Sequence, residues 1–175
     1  MYSPLQMAAD LPENYEQHVD ALQFIRDVPL DWDDTKILEA EPGDYIIEAR
    51  KAKARTDEPD GRRKDSWFLG AISDENARNF TEPLSFLDAG KKYIATIYCD
   101  ADNADWQKNP EAYKIEKFVV DSKTKLKLKL APGGGSYYTR LIEASAPTFG
   151  VVQTVAPVHG TAEIEHAIGE FVCEP

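Results

Sequence analysis

Residues 124–135 read Thr-Lys-Leu-Lys-Leu-Lys-Leu-Ala-Pro-Gly-Gly-Gly, a stretch that encodes a strand, its orientation and its end. Successive side chains of an extended strand point to opposite faces. Leu126, Leu128 and Leu130 therefore share one face, and Lys125, Lys127 and Lys129 share the other. One face is dry and the other wet, as in an antiparallel sheet solvated on one side; parallel sheets, buried on both faces, carry near-continuous apolar runs instead. Pro132 and the glycines at 133–135 stop the strand. Ser136 to Ile142, rich in Tyr, Thr and Ile, is expected to return as its hairpin partner. The stretch carries no set of acid, base and nucleophile, so its physical reading is a β module without a reaction.

The same signature recurs along the chain. Strands are expected at 44–51, 66–73, 82–87, 92–99, 112–120, 124–130 and 136–142, runs rich in Ile, Tyr, Phe, Val and Trp and parted by turn residues such as Asp60-Gly61, Asp88-Ala-Gly90 and Asn109-Pro110. Short strands at regular intervals predict a mainly all-β fold, a two-layer antiparallel β-sandwich. One amphipathic helix is expected before it. Asp10 and Glu13 have capping-box spacing, and Tyr15, Val19, Leu22, Ile25 and Val28 recur every three or four residues until Pro29. That apolar stripe needs a surface to cover, either the sandwich or a neighbouring domain. Lys51 to Lys64, charged and carrying Pro59 and Gly61, reads as a long exposed hairpin loop. The tail from Ser145 to Pro175 has four glutamates and no lysine or arginine, and its structure is left open between a strand, a short helix and loose attachment.

At 175 residues the chain can bury a core without disulfide or metal staples. Its net charge of −11 opposes nucleic-acid binding, which needs basic surface to displace counterions, and a wet strand face accounts for the lysines at 123–129. No apolar run approaches the length that crosses a bilayer, and the first residues lack the basic start and apolar stretch of a signal peptide. Cys99 and Cys173 are too few and too far apart for a disulfide framework or a zinc site, and Cys99 reads as a small buried residue.

Few constellations suggest chemistry. Asp100, Asp102 and Glu111 stand at positions 1, 3 and 12 of a calcium-loop pattern that fails in its middle, where Ala104 lacks a side-chain oxygen and Asp105 replaces the required glycine. Asp31, Asp33 and Asp34 around Trp32 suggest a turn with a packed tryptophan. Glu163, Glu165, His159 and His166 mix carboxylate with imidazole at a spacing that fits no common zinc pattern, and His18 lies far away. A carboxylate pair for glycoside chemistry cannot be chosen among 31 acids, because the required separation is spatial. The glycines at 133–135 precede a strand, not the helix N-terminus that a phosphate loop needs. Trp67, Trp106, Tyr137 and Tyr138 could form a sugar platform if they shared a surface, with Trp106, Tyr137 and Tyr138 the candidate set; core packing competes with that reading.

Seven segments in order carry a resemblance: Tyr2 to Met7 (Tyr-Ser-Pro-Leu-Gln-Met), Phe24 to Pro29 with Trp32 to Thr35, Glu41 to Tyr45, Trp67 to Gly70, Asp74 to Arg78, Leu84 to Leu87, and Lys123 to Gly135. Together they resemble the carboxyl-terminal region of glycoside hydrolase family 97 over about residues 1–143. The resemblance implies a parent enzyme with an amino-terminal β-sandwich, a central (β/α)8 barrel and a carboxyl-terminal sandwich described as an oligomerisation domain. It implies cleavage of α-glucosidic or α-galactosidic bonds, with calcium and the catalytic carboxylates in the barrel. On this reading residues 1–28 are an end-of-barrel remnant and helix, 29–143 the C-terminal β-sandwich domain, and 144–175 a tail of unknown structure. No catalytic, cofactor or metal residue carries over to this chain. The function expected is a noncatalytic domain serving docking or oligomerisation, with a freestanding carbohydrate-binding module as the alternative. The partners implied are the barrel of a parent glycosidase or a second copy, and carbohydrate on the alternative reading; neither nucleic acid nor membrane is expected. Leu5, Met7 and Tyr15 are the candidate docking residues. A periplasmic or secreted location is implied by the resemblance, against the missing signal peptide.

Overall fold

The computed structural model describes residues 9–53, 66–133, 136–143 and 164–165, except for the side chains of 136–140 and 164–165. Among them, β1 (Trp32–Glu41), β2 (Tyr45–Ala52), β3 (Trp67–Ser73), β4 (Arg78–Pro83), β5 (Tyr93–Asp100), β6 (Tyr113–Val120), β7 (Lys125–Leu130), β8 (Ser136–Glu143) and β9 (Ile164–Glu165) form two antiparallel sheets. The larger has the order β1-β2-β3-β8-β5-β6 and the smaller β4-β7-β9. This is the sandwich that the spacing of strands predicts.

Period-two alternation builds the core. Ile47 and Ala49, Leu69 and Ala71, and Tyr93, Ala95 and Ile97 bury one face of the larger sheet, while Leu126, Leu128 and Leu130 bury the facing side of β7. Lys125 and Lys129 are exposed and Lys127 is half-buried, so the alternation holds. Its expected hairpin does not. β7 pairs with β4 and β9, whereas β8 lies in the other sheet between β3 and β5. The reason is the core: Leu141 of β8 sits opposite both Trp67 and Ala95, filling the middle of the larger sheet, so the chain crosses between layers after Pro132.

Three further expectations are corrected. β1 occupies the acidic stretch read as a turn; it is an edge strand with mostly exposed positions and two register shifts, and charge suits such an edge. The strand expected at 82–87 lies at Arg78–Pro83, and Leu84 to Leu87 form a turn closed by Leu87 N–H donating to Leu84 O at 3.0 Å. The helix is divided into α1 (Pro12–Tyr15), a 3₁₀ turn (Glu16–His18) and α2 (Val19–Asp27). Its cap is not the expected box: Leu11 is the N-cap before Pro12, and Asp10 Oδ1 accepts from Leu11 N–H and from Asn14 Nδ2 at 2.7 and 2.6 Å. Cys99 is buried, and burial pushes its thiol up to about 12. Most of the loop Lys51 to Lys64 and Cys173 fall outside the described residues. Among those described, no helix is long and apolar enough to cross a membrane.

Candidate functional site

Phe24 decides how α2 sits. Its ring packs edge-on against Phe68 of β3 and Tyr98 of β5, centroids 6.4 and 5.4 Å away, so the helix covers part of the outer face of the larger sheet. Trp32 adds an edge contact to Phe68 at 5.7 Å and carries the Arg50 guanidinium over its ring at 4.5 Å. The start of β3 is therefore buried on both faces, with Trp67 and Leu69 inside and Phe68 under the helix, while Ile72 near its other end is exposed. The predicted apolar stripe is rotated by this contact. Val19 and Ile25 remain 58% and 54% exposed.

Between α2 and the start of β6 lies a cavity of about 320 Å³ lined by Ala21, Phe24, Ile25, Tyr98, Ala112 and Tyr113 among others. Tyr113 closes one side of it. Its hydroxyl donates to Asp20 Oδ1 at 2.8 Å and lies 3.4 Å from His18 Nδ1. Burial, then the Asp20 carboxylate, raises the phenol to about 12. Burial also pushes Asp20 up, but the Tyr113 hydroxyl and its backbone hydrogen bonds more than reverse this and leave it lowered.

The β5–β6 connection, residues 101–112, presents Trp106, 56% exposed, at its tip. Asp105 and Asn109 exchange backbone hydrogen bonds across the tip, and Asp105 Oδ1 accepts from Gln107 and Lys108 N–H. The base of the loop is tied to the end of β7: Asp100 Oδ2 accepts from Ala131 N–H at 2.9 Å, and Asp102 pairs with Lys129 at 3.0 Å. These carboxylates are thus engaged by protein donors, and no group of three His, Cys, Asp or Glu side chains that could hold a metal occurs among the described residues. Of the other acidic clusters, Asp31 pairs with Lys53 and Asp34 with Lys36, while His159, Glu163 and His166 lie outside the described residues and Glu165 contributes backbone pairing in β9.

The candidate residues scatter. Leu5 and Met7 fall outside the described residues, and Tyr15 ends α1 half-buried. Tyr137 and Tyr138 hold successive register positions opposite Cys99 and Tyr98, with side chains outside the described set. Trp67 is core, its ring tilted against Phe86 with centroids 4.8 Å apart, which leaves Trp106 as the described side chain of the sugar platform. Sequence reasoning missed Phe24 as the helix anchor and the Tyr113 contact to Asp20. The first had a signal, a Phe one position from the apolar stripe; the second joins residues 93 positions apart and had none.

The geometry defines an all-β sandwich whose larger sheet is partly covered by a short helical segment and in which Asp31, Asp34, Asp74, Asp102, Asp105 and Asp121 serve ion pairs and turns. Residues 31–140 match the family described as Glycosyl-hydrolase 97 C-terminal, oligomerisation, and the chain belongs to that family. A retaining alpha-galactosidase of Bacteroides thetaiotaomicron is 37% identical over 133 residues, 76% of this chain and 18% of that protein. A family 97 enzyme from Pseudoalteromonas sp. strain K8, solved with acarbose, shares 46% identity at a TM-score of 0.77 over 83% of this chain and 21% of its own. A beta-arabinopyranosidase, 24% identical at a TM-score of 0.56 over 78% of this chain and 19% of its own, shares the fold. The chain thus spans about a fifth of the length of the relatives it matches.

Proposed function

We propose that this chain is a noncatalytic sandwich domain that docks against the catalytic part of a family 97 glycoside hydrolase or against a second copy of itself. The observation that carries the reading is the helical face: α2 spends Phe24 on the sheet and leaves Val19 and Ile25 in water, beside the apolar cavity. The family's description as an oligomerisation module supports it. So does the use of Asp74, Asp102 and Asp121 as ion-pair partners of Arg78, Lys129 and Lys92.

With a net charge of −11, self-association is opposed by repulsion and strengthens as salt screens it. Sedimentation equilibrium at low and moderate salt is the test. A salt-strengthened dimer that Val19→Asp with Ile25→Asp abolishes is expected for self-association; a strict monomer at both salts leaves docking to the catalytic part, tested by co-expression of the two. Failure of both, or steady turnover of a chromogenic α-glucoside lost on one Asp or Glu substitution within this chain, overturns the reading.

A further inference from the structure

Trp106 is not explained by docking through the helix. It stands on a different element, at the tip of a loop that the Asp105–Asn109 backbone pair and the Asp105 carboxylate close into a turn. The loop is fastened twice to the end of β7, through Asp100 to Ala131 and Asp102 to Lys129. Gly133, in the left-handed region at φ 90°, brings bare backbone against the indole: a Cβ there would overlap the Trp106 side chain. The root of the indole, at Cβ, Cγ and Cδ1, is therefore seated on backbone while more than half of the residue faces water. A large aromatic held out of the core on a preorganised seat is suited to contact.

The surroundings favour one kind of contact. A protein interface centres on contiguous apolar surface, but of the exposed neighbours of Trp106 along the loop, Asp102, Asn103, Gln107, Lys108 and Glu111 are polar or charged and Pro110 alone is apolar. A single flat apolar face ringed by hydrogen-bonding groups complements a pyranose, which offers C–H groups on its face and hydroxyls at its rim. We propose that Trp106 is the stacking platform of a surface oligosaccharide site, with the adjacent exposed Gln107 and Lys108 supplying hydrogen bonds to rim hydroxyls and Gly133 a positioning residue that seats the ring.

The test is titration of the full chain with maltoheptaose and with cellohexaose, followed by calorimetry and intrinsic fluorescence. Saturable binding of at least one is expected, weakened about tenfold or more by Trp106→Ala and partly restored in Trp106→Phe. Gly133→Ala, which must displace the ring, weakens binding with the far-ultraviolet dichroism unchanged. No saturable binding to either sugar at roughly ten millimolar, or equal binding by wild type and Trp106→Ala, overturns the proposal. So does a change in oligomeric state on Trp106→Ala without loss of sugar binding, which would make the tryptophan a protein contact. Because Val19 and Ile25 lie on another element, their substitution tests docking separately.

Discussion

Leu128→Ala tests the architecture where it departs most from the linear reading. Leu128 is 1% exposed, lies in the central core cluster and stands opposite Phe80 of β4. Truncation removes three carbon groups, about 2.4 kcal/mol of transfer free energy at about 0.8 each. The cavity left between two packed sheets adds about 1 kcal/mol, for a total near 3.5. With a urea slope of about 2 kcal/mol/M, the midpoint should fall by roughly 1.7 M. Urea titration followed by the fluorescence of buried Trp67 in the same cluster, with dichroism alongside, gives the shift. Lys125→Ala, on the wet face of the same strand, should change stability by less than about 0.5 kcal/mol. A double-mutant cycle of Leu128→Ala with Phe80→Ala then reads the partner strand: a coupling of about 0.5–1 kcal/mol is expected across the β4–β7 pair. Equal shifts for Leu128→Ala and Lys125→Ala, or a cycle that closes to zero, would refute the assignment of β7 to the smaller sheet.

Two further outcomes follow from buried groups. Glu82 is 3% exposed and its Oε1 has no hydrogen-bond partner; burial, then the facing Glu39 carboxylate, raises its pKa. A raised carboxyl pKa means the folded state holds the proton longer, so the cost of ionisation is absent below the ordinary value near 4.5 and fully present above the raised one. Urea midpoints measured from pH 4 to 8 should fall more steeply for wild type than for Glu82→Gln, and parallel profiles would show that Glu82 is not the titrating group. In a Cys173→Ser background, Cys99, buried with its thiol held near 12, should resist a disulfide reagent in the native state and react at the rate of opening, which urea accelerates; immediate labelling of that variant in native buffer would contradict its placement.

What the chain order determined by itself is whatever depends on neighbouring residues. Alternation in Lys125 to Leu130 declares strand and dry face, because side-chain direction repeats every two residues regardless of the partner. Pro29 and the turn residues at 88–90 and 109–110 mark ends through backbone restrictions that are equally local. The ordered segments likewise carry the family resemblance by themselves, although no site residue comes with it. Tertiary structure alone decided what each face meets. β8 follows β7 in sequence yet pairs with β3 and β5, where Leu141 is fully buried opposite Trp67 and Ala95. Acidic β1 became a strand because an edge position tolerates charge that a turn would equally accept. The helix turned Phe24, not the Val19 and Ile25 stripe, to the sheet because Phe68 and Tyr98 offered it aromatic edges brought together from strands far apart in the chain. Trp106 and Gly133 meet for the same reason: pairing energies between distant segments, which no local pattern records, bring the two loops to one end of the sandwich.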